Sequence, residues 1–115
     1  MNYKYGEFTE YQMKDMKEYM RKRIFFLLLI VDPNTKEKYD NINVYDAFDC
    51  ELRKLGGLNS LLGNPPEIVR IMSLLEAALI EYSSPEFDWH VYRKLILDSG
   101  NEVLKIREVE DAISE

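Results

Sequence analysis

The strongest constraint on the fold is an apolar pattern that runs through residues 13–31 at intervals of three or four. Its members are Met13, Met16, Met20, Ile24, Leu27 and Val31. This spacing places them on one face of an α-helix, whereas a half-buried strand alternates apolar and polar residues. Taken alone, the apolar run IFFLLLIV at residues 24–31 is compatible with a helix or a buried strand. Its continuity with the spacing from Met13 predicts one helix that ends near Val31, before Pro33.

Capping signals predict a second helix after a polar connection. Asn43 is a good N-cap residue, and apolar residues at helical spacing come after it. We expect this helix to stop at Gly56 and Gly57, because a left-handed residue at a helix end costs glycine little. Residues 58–63 would then form one separate apolar turn.

The third and fourth helices are predicted from proline signals. Asn64 precedes two prolines, which suit the first turn of a helix, and an apolar segment then runs to Tyr82. Ser84 and Pro85 repeat this pattern and predict the start of the fourth helix.

Two further pairs of residues have the spacing of a capping box. Thr9 with Gln12 predicts the start of the first helix, and Ser99 with Glu102 predicts the start of a last one. Gly100 would mark the break before that last helix.

These elements predict an all-α, single-domain bundle of four to five helices with short connections. A chain of 115 residues is long enough to bury one core and too short for two. We expect residues 1–8 to form an N-terminal tail, residues 32–43 to form a polar loop, and residues 1–115 to form one domain. The first and third helices should be the longest and should pack together.

The polar loop resembles a calcium loop only superficially. With Asp32 in the first position and Asn34 in the third, Lys36 takes the fifth position, where an oxygen ligand is required. Glu37 stands in place of the glycine, and Asn43 in place of the closing glutamate. A type I turn that begins at Asp32 explains the residues better, so no metal is expected.

Composition narrows the classes of function. The net charge of −6 argues against binding nucleic acid with the whole surface. Cys50 and His90 are the only residues of their types, so neither an internal disulfide nor a structural zinc site is expected. Eight apolar residues in a row are too few to cross a membrane. A cytoplasmic location and no cofactor are therefore expected.

Candidate catalytic residues are few. His90 comes two positions after Asp88, and such residues do not face each other on a helix. Glu76 and Glu81 lie on the mainly apolar third helix. They are the only carboxylates whose apolar surroundings could suit them to acid–base chemistry. No nucleophile with a positioned base is recognisable, so we expect a protein that is not an enzyme.

Basic residues concentrate on the first helix. They are Lys14, Lys17, Arg21, Lys22 and Arg23. Acidic residues are interleaved with them, and Glu18 with Lys22 has the spacing of a helical ion pair. This cluster is interpreted either as a charge-paired solvent face or as a contact with nucleic acid.

Aromatic residues concentrate near the junction of the third and fourth helices. They are Tyr82, Phe87, Trp89 and Tyr92, and Tyr39 in the polar loop is a further candidate. Large apolar rings with polar tips suit either a core corner or a partner surface. We therefore expect a non-enzymatic protein that contacts a partner or forms a homo-oligomer; the alternatives are a nucleic-acid-binding regulator and an enzyme of unknown class.

Overall fold

Four α-helices make up most of the chain in a computed structural model, which describes residues 2–3, 6–7 and 10–106, with side chains from residue 12. The elements are β1 Asn2–Tyr3, β2 Gly6–Glu7, α1 Glu10–Leu29, a 3-10 turn Lys36–Tyr39, α2 Val44–Leu61, α3 Pro66–Ser83 and α4 Trp89–Val103. Strands β1 and β2 pair antiparallel over two residues each. The expected all-helical character is confirmed. The capping residue Thr9 lies outside the described residues.

The helices form a ring in which each packs mainly on two neighbours, and Phe48 of α2 also lies beside Tyr92 of α4 across the core. α3 packs most extensively on α4, α1 packs on α4, and α2 packs on both α3 and α1. The predicted packing of the first helix against the third is wrong, because α4 and α2 lie on either side of α1. A ring of sequential helices is the arrangement of a four-helix bundle.

Contacts at both ends of α4 set the direction of its neighbours. Arg70 early in α3 bonds Glu102 late in α4, whereas Tyr82 late in α3 lies beside Tyr92 early in α4. α3 and α4 are therefore antiparallel. Tyr92 also donates a hydrogen bond of 2.6 Å to the carbonyl of Leu27, near the end of α1. The start of α4 thus meets the end of α1.

Side chains complete the C-terminus of α1. The amide of Val31 donates to the carbonyl of Leu28 and not to that of Leu27. The Tyr92 hydroxyl supplies the donor that the Leu27 carbonyl would otherwise lack. Pro33 has no amide hydrogen to donate to Leu29, and the Thr35 hydroxyl supplies one at 2.7 Å. The helical interpretation of residues 24–31 therefore holds through Leu29.

Helix α2 continues through the glycine pair that was expected to end it. Gly56 and Gly57 are both helical, and residues 58–61 belong to the same helix rather than to a separate turn. Gly63 has a φ of 82° and Asn64 a φ of 61°, so the left-handed residues lie after Leu61. The apolar residues beyond the glycines stay helical because they pack on the core.

The ends of α3 and α4 also differ from prediction. Pro65, not Asn64, is the N-cap of α3, because Asn64 is left-handed. Asp88, not Ser84, caps α4, and its carboxylate accepts a bond of 2.9 Å from the His90 amide.

The predicted break at Gly100 is absent, since α4 runs through it to Val103. The residues of the predicted capping box have other roles. Ser99 is buried and donates to the Ile96 carbonyl, and Glu102 pairs with Arg70. Any part of the predicted last helix beyond Ile106 lies outside the described residues.

Candidate interaction site

A groove of about 330 Å³ lies between α1 and α4. Its lining combines apolar and charged residues: Glu18, Arg21, Lys22, Ile24, Phe25, Ile96, Leu97, Gly100 and Asn101. Ile24 and Ile96 are buried and form its floor, and Leu97 is half-buried. The side chain of Phe25 is 49% exposed beside this floor. The groove therefore presents apolar surface that the bundle itself leaves uncovered.

The rim of this groove carries positive charge in an acidic protein. Arg21 and Lys22 are exposed, and within the described part of the chain neither forms an ion pair. The ion pair predicted between Glu18 and Lys22 is also absent from the described part of the chain. Two cations and one carboxylate thus line the groove, although the whole chain carries a net charge of −6.

The basic residues predicted as one cluster divide into two groups. Arg23 faces α2, where its Nε lies 3.2 Å from Glu51, and its guanidinium lies over the ring of Phe26. Glu51 is buried, so Arg23 neutralises a carboxylate of the bundle and is not free for a ligand. Lys14, Lys17, Arg21 and Lys22 remain without an ion pair among the described residues.

The predicted aromatic residues come together as one cluster, defined here as Tyr82, Phe87, Trp89 and Tyr92. Tyr92 lies at its centre, with ring centroids 5.9 Å from Phe87, 5.9 Å from Trp89 and 6.4 Å from Tyr82. Edge-to-face and stacked rings at these distances attract each other beyond the burial of their area.

Tyr92 is fully buried, so it belongs to the core and cannot contact a partner. Burial, with a smaller contribution from Tyr82, raises the pKa of Tyr92 far above its usual value. Phe87 is the most exposed ring of the cluster, at 37%. Tyr45 extends the cluster from α2, with its ring 5.6 Å from Tyr82.

Tyr39 packs downwards onto the bundle. Its ring meets Phe26 edge to face at 5.5 Å, and Ile42 also packs on the core. The polar loop is therefore a cover for the end of α1 and not a projecting contact surface. Asp32 organises its start, since its side chain accepts from the Asn34 amide and its carbonyl accepts from the Thr35 amide.

A second cluster, the ionic cluster, lies at the opposite end of α4 and consists of Arg70, Glu102 and Lys105. Arg70 bonds one carboxylate oxygen of Glu102 at 2.5 Å, and Lys105 lies 3.3 Å from the other. The Arg70 bond lowers the pKa of Glu102 below its usual value; burial opposes this effect and Lys105 adds to it. The sequence had suggested only a capping role for Glu102.

The candidate catalytic residues do not converge. Glu76 is exposed on the outer face of α3. Glu81 accepts a bond from the amide of Asp88, and Asp88 accepts one from the amide of His90. These two carboxylates therefore stabilise the chain entry into α4. No group of three or more potential ligands is placed to hold a metal ion among the described residues.

Comparisons with protein-family models, curated proteins and solved structures give no match. Within the described residues, no helix has the length and apolar character needed to cross a membrane.

Sequence reasoning missed Phe25 and Leu97 as site residues. Phe25 lies in the apolar run at residues 24–31, and eight consecutive residues on a helix cover its whole circumference, so some must face outwards. That signal predicts an exposed apolar residue next to Arg21 and Lys22, but it does not reveal which helix forms the other wall.

Proposed function

We propose that this chain is a non-enzymatic protein-interaction module that binds a segment of a partner protein in the α1–α4 groove. The observation that carries the proposal is the 49% exposure of Phe25 beside an apolar floor. Exposed apolar patches rimmed by polar residues are typical of protein contact sites. Glu81 and Asp88 both accept hydrogen bonds from backbone amides at the start of α4. This structural use of the two carboxylates supports the non-enzymatic part of the proposal.

The chemistry of the groove suits an amphipathic partner. Covering the exposed part of an aromatic side chain and its half-buried neighbour Leu97 contributes about 1 to 3 kcal/mol. Arg21 and Lys22 add attraction for acidic groups, which mainly determines specificity and the rate of association.

A photo-crosslinking experiment tests the location of the contact. The photoreactive amino acid p-benzoyl-phenylalanine replaces Phe25 in one variant and Tyr45 in the other, and both are irradiated in the native host cells. The two side chains are matched in exposure, at 49% and 51%, but Tyr45 lies beside the aromatic cluster. We expect a discrete crosslinked product from position 25 and none from position 45. A product from position 45 alone would move the contact to the aromatic cluster.

Charge reversal in the photoreactive Phe25 variant provides the matched control. Arg21→Glu with Lys22→Glu should remove the crosslinked product, because it repels an acidic partner. Arg53→Glu with Lys54→Glu makes the same change of charge on the exposed face of α2 and should leave the product intact. Equal loss in both variants would contradict a role for the groove rim.

Self-association is supported by a different surface. Ile80 is 72% exposed on α3, and Val69, three turns earlier on the same face, is also exposed. We propose that this face joins two copies of the chain. Sedimentation should show a dimer that Ile80→Lys converts to a monomer, whereas a wild-type monomer at high concentration contradicts this part of the proposal.

The runner-up function is nucleic-acid binding through Lys14, Lys17, Arg21 and Lys22. It is supported by the absence of ion pairs at these four cations within the described residues. If they contact phosphates, the apparent affinity for a duplex or single-stranded probe should fall steeply with salt. A gel-shift assay at low salt with no retarded probe removes this alternative.

A further inference from the structure

The α1–α4 groove has an apolar end and a charged end. The start of α4 meets the end of α1 through the bond from Tyr92 to the carbonyl of Leu27, and later residues of α4 also line the groove. The two helices therefore run antiparallel along it. Phe25 and Leu97 lie towards one end, and the charged residues at positions 18, 21 and 22 lie towards the other. A ligand that matches this groove has an apolar part at one end and a polar group at the other.

The volume of the groove suits a small molecule. Its 330 Å³ lies near the lower end of the range for small-molecule sites, which is roughly 300 to 1,000 Å³. Such sites are mostly apolar, with a few polar groups that fix the orientation of the ligand. Here Ile24 and Ile96 are buried in the floor, and Arg21 and Lys22 outnumber the single carboxylate of Glu18 at the rim. This combination indicates an organic anion with an apolar tail.

Gly100 keeps one wall of the groove free of a side chain. It lies inside α4, where glycine is among the least favourable residues. It follows Ile96 and Leu97 by one turn, so all three share the face that lines the groove. Apart from its own helix backbone and sequence neighbours, a Cβ atom at Gly100 would meet no described atom within 4 Å. Helix packing therefore does not require glycine there, and its missing side chain leaves room for a ligand.

We propose that the α1–α4 groove binds a small amphipathic carboxylic acid, a free fatty acid of medium chain length, which competes with the partner segment. The alkyl chain lies along Ile24, Ile96 and Leu97, and the carboxylate lies beside Arg21 and Lys22. Hydrogen bonds between arginine and a carboxylate are charge-assisted and about twice as strong as those between neutral groups. The competition rests on the proposed function, because both occupants need the same surface, whereas the binding of the acid does not.

Titration of the purified, ¹⁵N-labelled full chain tests this binding directly. The probe is decanoate, kept below the concentration at which it forms micelles. We expect saturable changes in the amide chemical shifts of Phe25, Leu97 and Gly100. The absence of a saturable change at these amides would overturn the proposal.

Two related probes test the parts of the ligand separately. Octanoate is two methylenes shorter and should bind roughly fifteenfold more weakly, because each buried methylene contributes about fourfold to the affinity. Decyltrimethylammonium has the same alkyl chain with the opposite charge and should not bind in the groove. Equal affinity for decanoate and for this cation would overturn the proposal, since the rim charges would then have no role.

Two leucine variants test the location of the ligand. Gly100→Leu fills the groove and should abolish the shift changes caused by decanoate. Gly57→Leu, at an exposed helical glycine of α2, should leave them intact. Leucine favours a helix more than glycine does, so both variants should keep or raise the melting temperature. Undiminished binding of decanoate by a folded Gly100→Leu chain would overturn the proposal.

Charge variants at the rim should change the affinity in opposite directions. Arg21→Glu with Lys22→Glu should weaken decanoate binding by roughly tenfold or more, and Glu18→Gln should strengthen it by roughly two- to fivefold. Arg53→Glu with Lys54→Glu, on the exposed face of α2, should leave it unchanged. Equal affinities in the two rim variants would overturn the placement of the carboxylate.

The outcomes separate the acid site from the proposed function. If decanoate binds and the photoreactive group at position 25 gives no partner product, the proposed function is wrong and the acid site stands. If the product forms and decanoate does not bind, only the acid site is wrong. If both are observed, decanoate should reduce the yield of the product in a cell lysate, and an unchanged yield would contradict the competition.

Discussion

The two ends of the α3–α4 pair are held together by different interactions. At one end the aromatic cluster packs around a buried phenol, Tyr92, whose hydroxyl also completes the end of α1. At the other end the ionic cluster joins Arg70 to Glu102. Contacts between rings depend little on salt, whereas an ion pair depends on the protonation of its carboxylate and on screening. The same two helices should therefore respond differently to one perturbation at each end.

The largest expected effect is at the aromatic cluster. Tyr92→Ala should reduce the free energy of unfolding by about 3 to 5 kcal/mol, because it leaves a large cavity. Tyr92→Phe keeps the ring and should cost only about 1 to 2 kcal/mol, from the lost hydrogen bond to Leu27. Urea denaturation measures both. Tyr19→Phe, at an exposed position on α1, is the control. Equal costs for both Tyr92 variants would mean that the hydroxyl, and not the ring packing, holds this end.

The ionic cluster should give a smaller effect. Glu102→Gln keeps the shape of the side chain and should cost about 1 to 2 kcal/mol, because Arg70 is partly exposed and solvent weakens the pair. The cost should shrink in concentrated salt, while that of Tyr92→Phe should not. Glu76→Gln on the exposed face of α3 is the matched control. A salt-independent cost at Glu102 would contradict the distinction between the two ends.

The two ends should also fail at opposite extremes of pH. The pKa of Glu102 is lowered in the folded chain, so its stabilisation is complete above the ordinary carboxyl value and is lost as pH falls through the lower folded value. The pKa of Tyr92 is raised, so its stabilisation is complete below the ordinary phenol value and is lost as pH rises above it.

Melting temperatures across the pH range measure this difference. Glu102→Gln should flatten the acid side of the profile alone, and Tyr92→Phe should flatten the alkaline side alone. If either variant flattened both sides equally, the two ends would not be independent.

The smallest effect on stability is expected in the groove, which belongs to neither end. Phe25→Asp removes a half-buried ring and should lower the free energy of unfolding by only about 1 kcal/mol, because half of the side chain is already in solvent. It should nevertheless abolish partner binding, measured by co-precipitation with the partner that the photoreactive chain identifies. A loss of several kcal/mol would show that Phe25 supports the bundle and is not a contact residue.

Local rules predicted the helices well but not all of their ends. The spacing from Met13 to Leu27 identified α1 because a helix face is encoded by neighbours in sequence. Gly56 and Gly57 predict a helix end, yet the residues after them are held in the helix by packing on distant residues. Gly100 failed as a break for the same reason, since Val103 beyond it is buried. Whether glycine ends a helix depends on tertiary packing that spacing alone does not encode.

The aromatic cluster and the groove also differ in how far the sequence predicts them. The aromatic cluster was predictable because its four residues lie within one short stretch of sequence. Even so, the sequence did not reveal that Tyr92 is buried while Phe87 remains partly exposed. The groove was not predicted, because one wall comes from α1 and the other from α4. Its identification required knowing that α1 and α4 lie side by side.

That adjacency has a consequence for the order in which the chain folds. The bond from Tyr92 to Leu27 closes a loop of 65 residues, whereas the Arg70 to Glu102 contact spans only 32. Contacts that are closer in sequence form sooner, so the α3–α4 hairpin should assemble before α1 joins it. The groove would then come into existence in the last step, when α1 docks, and any partner that binds there would recognise only chains that have completed folding.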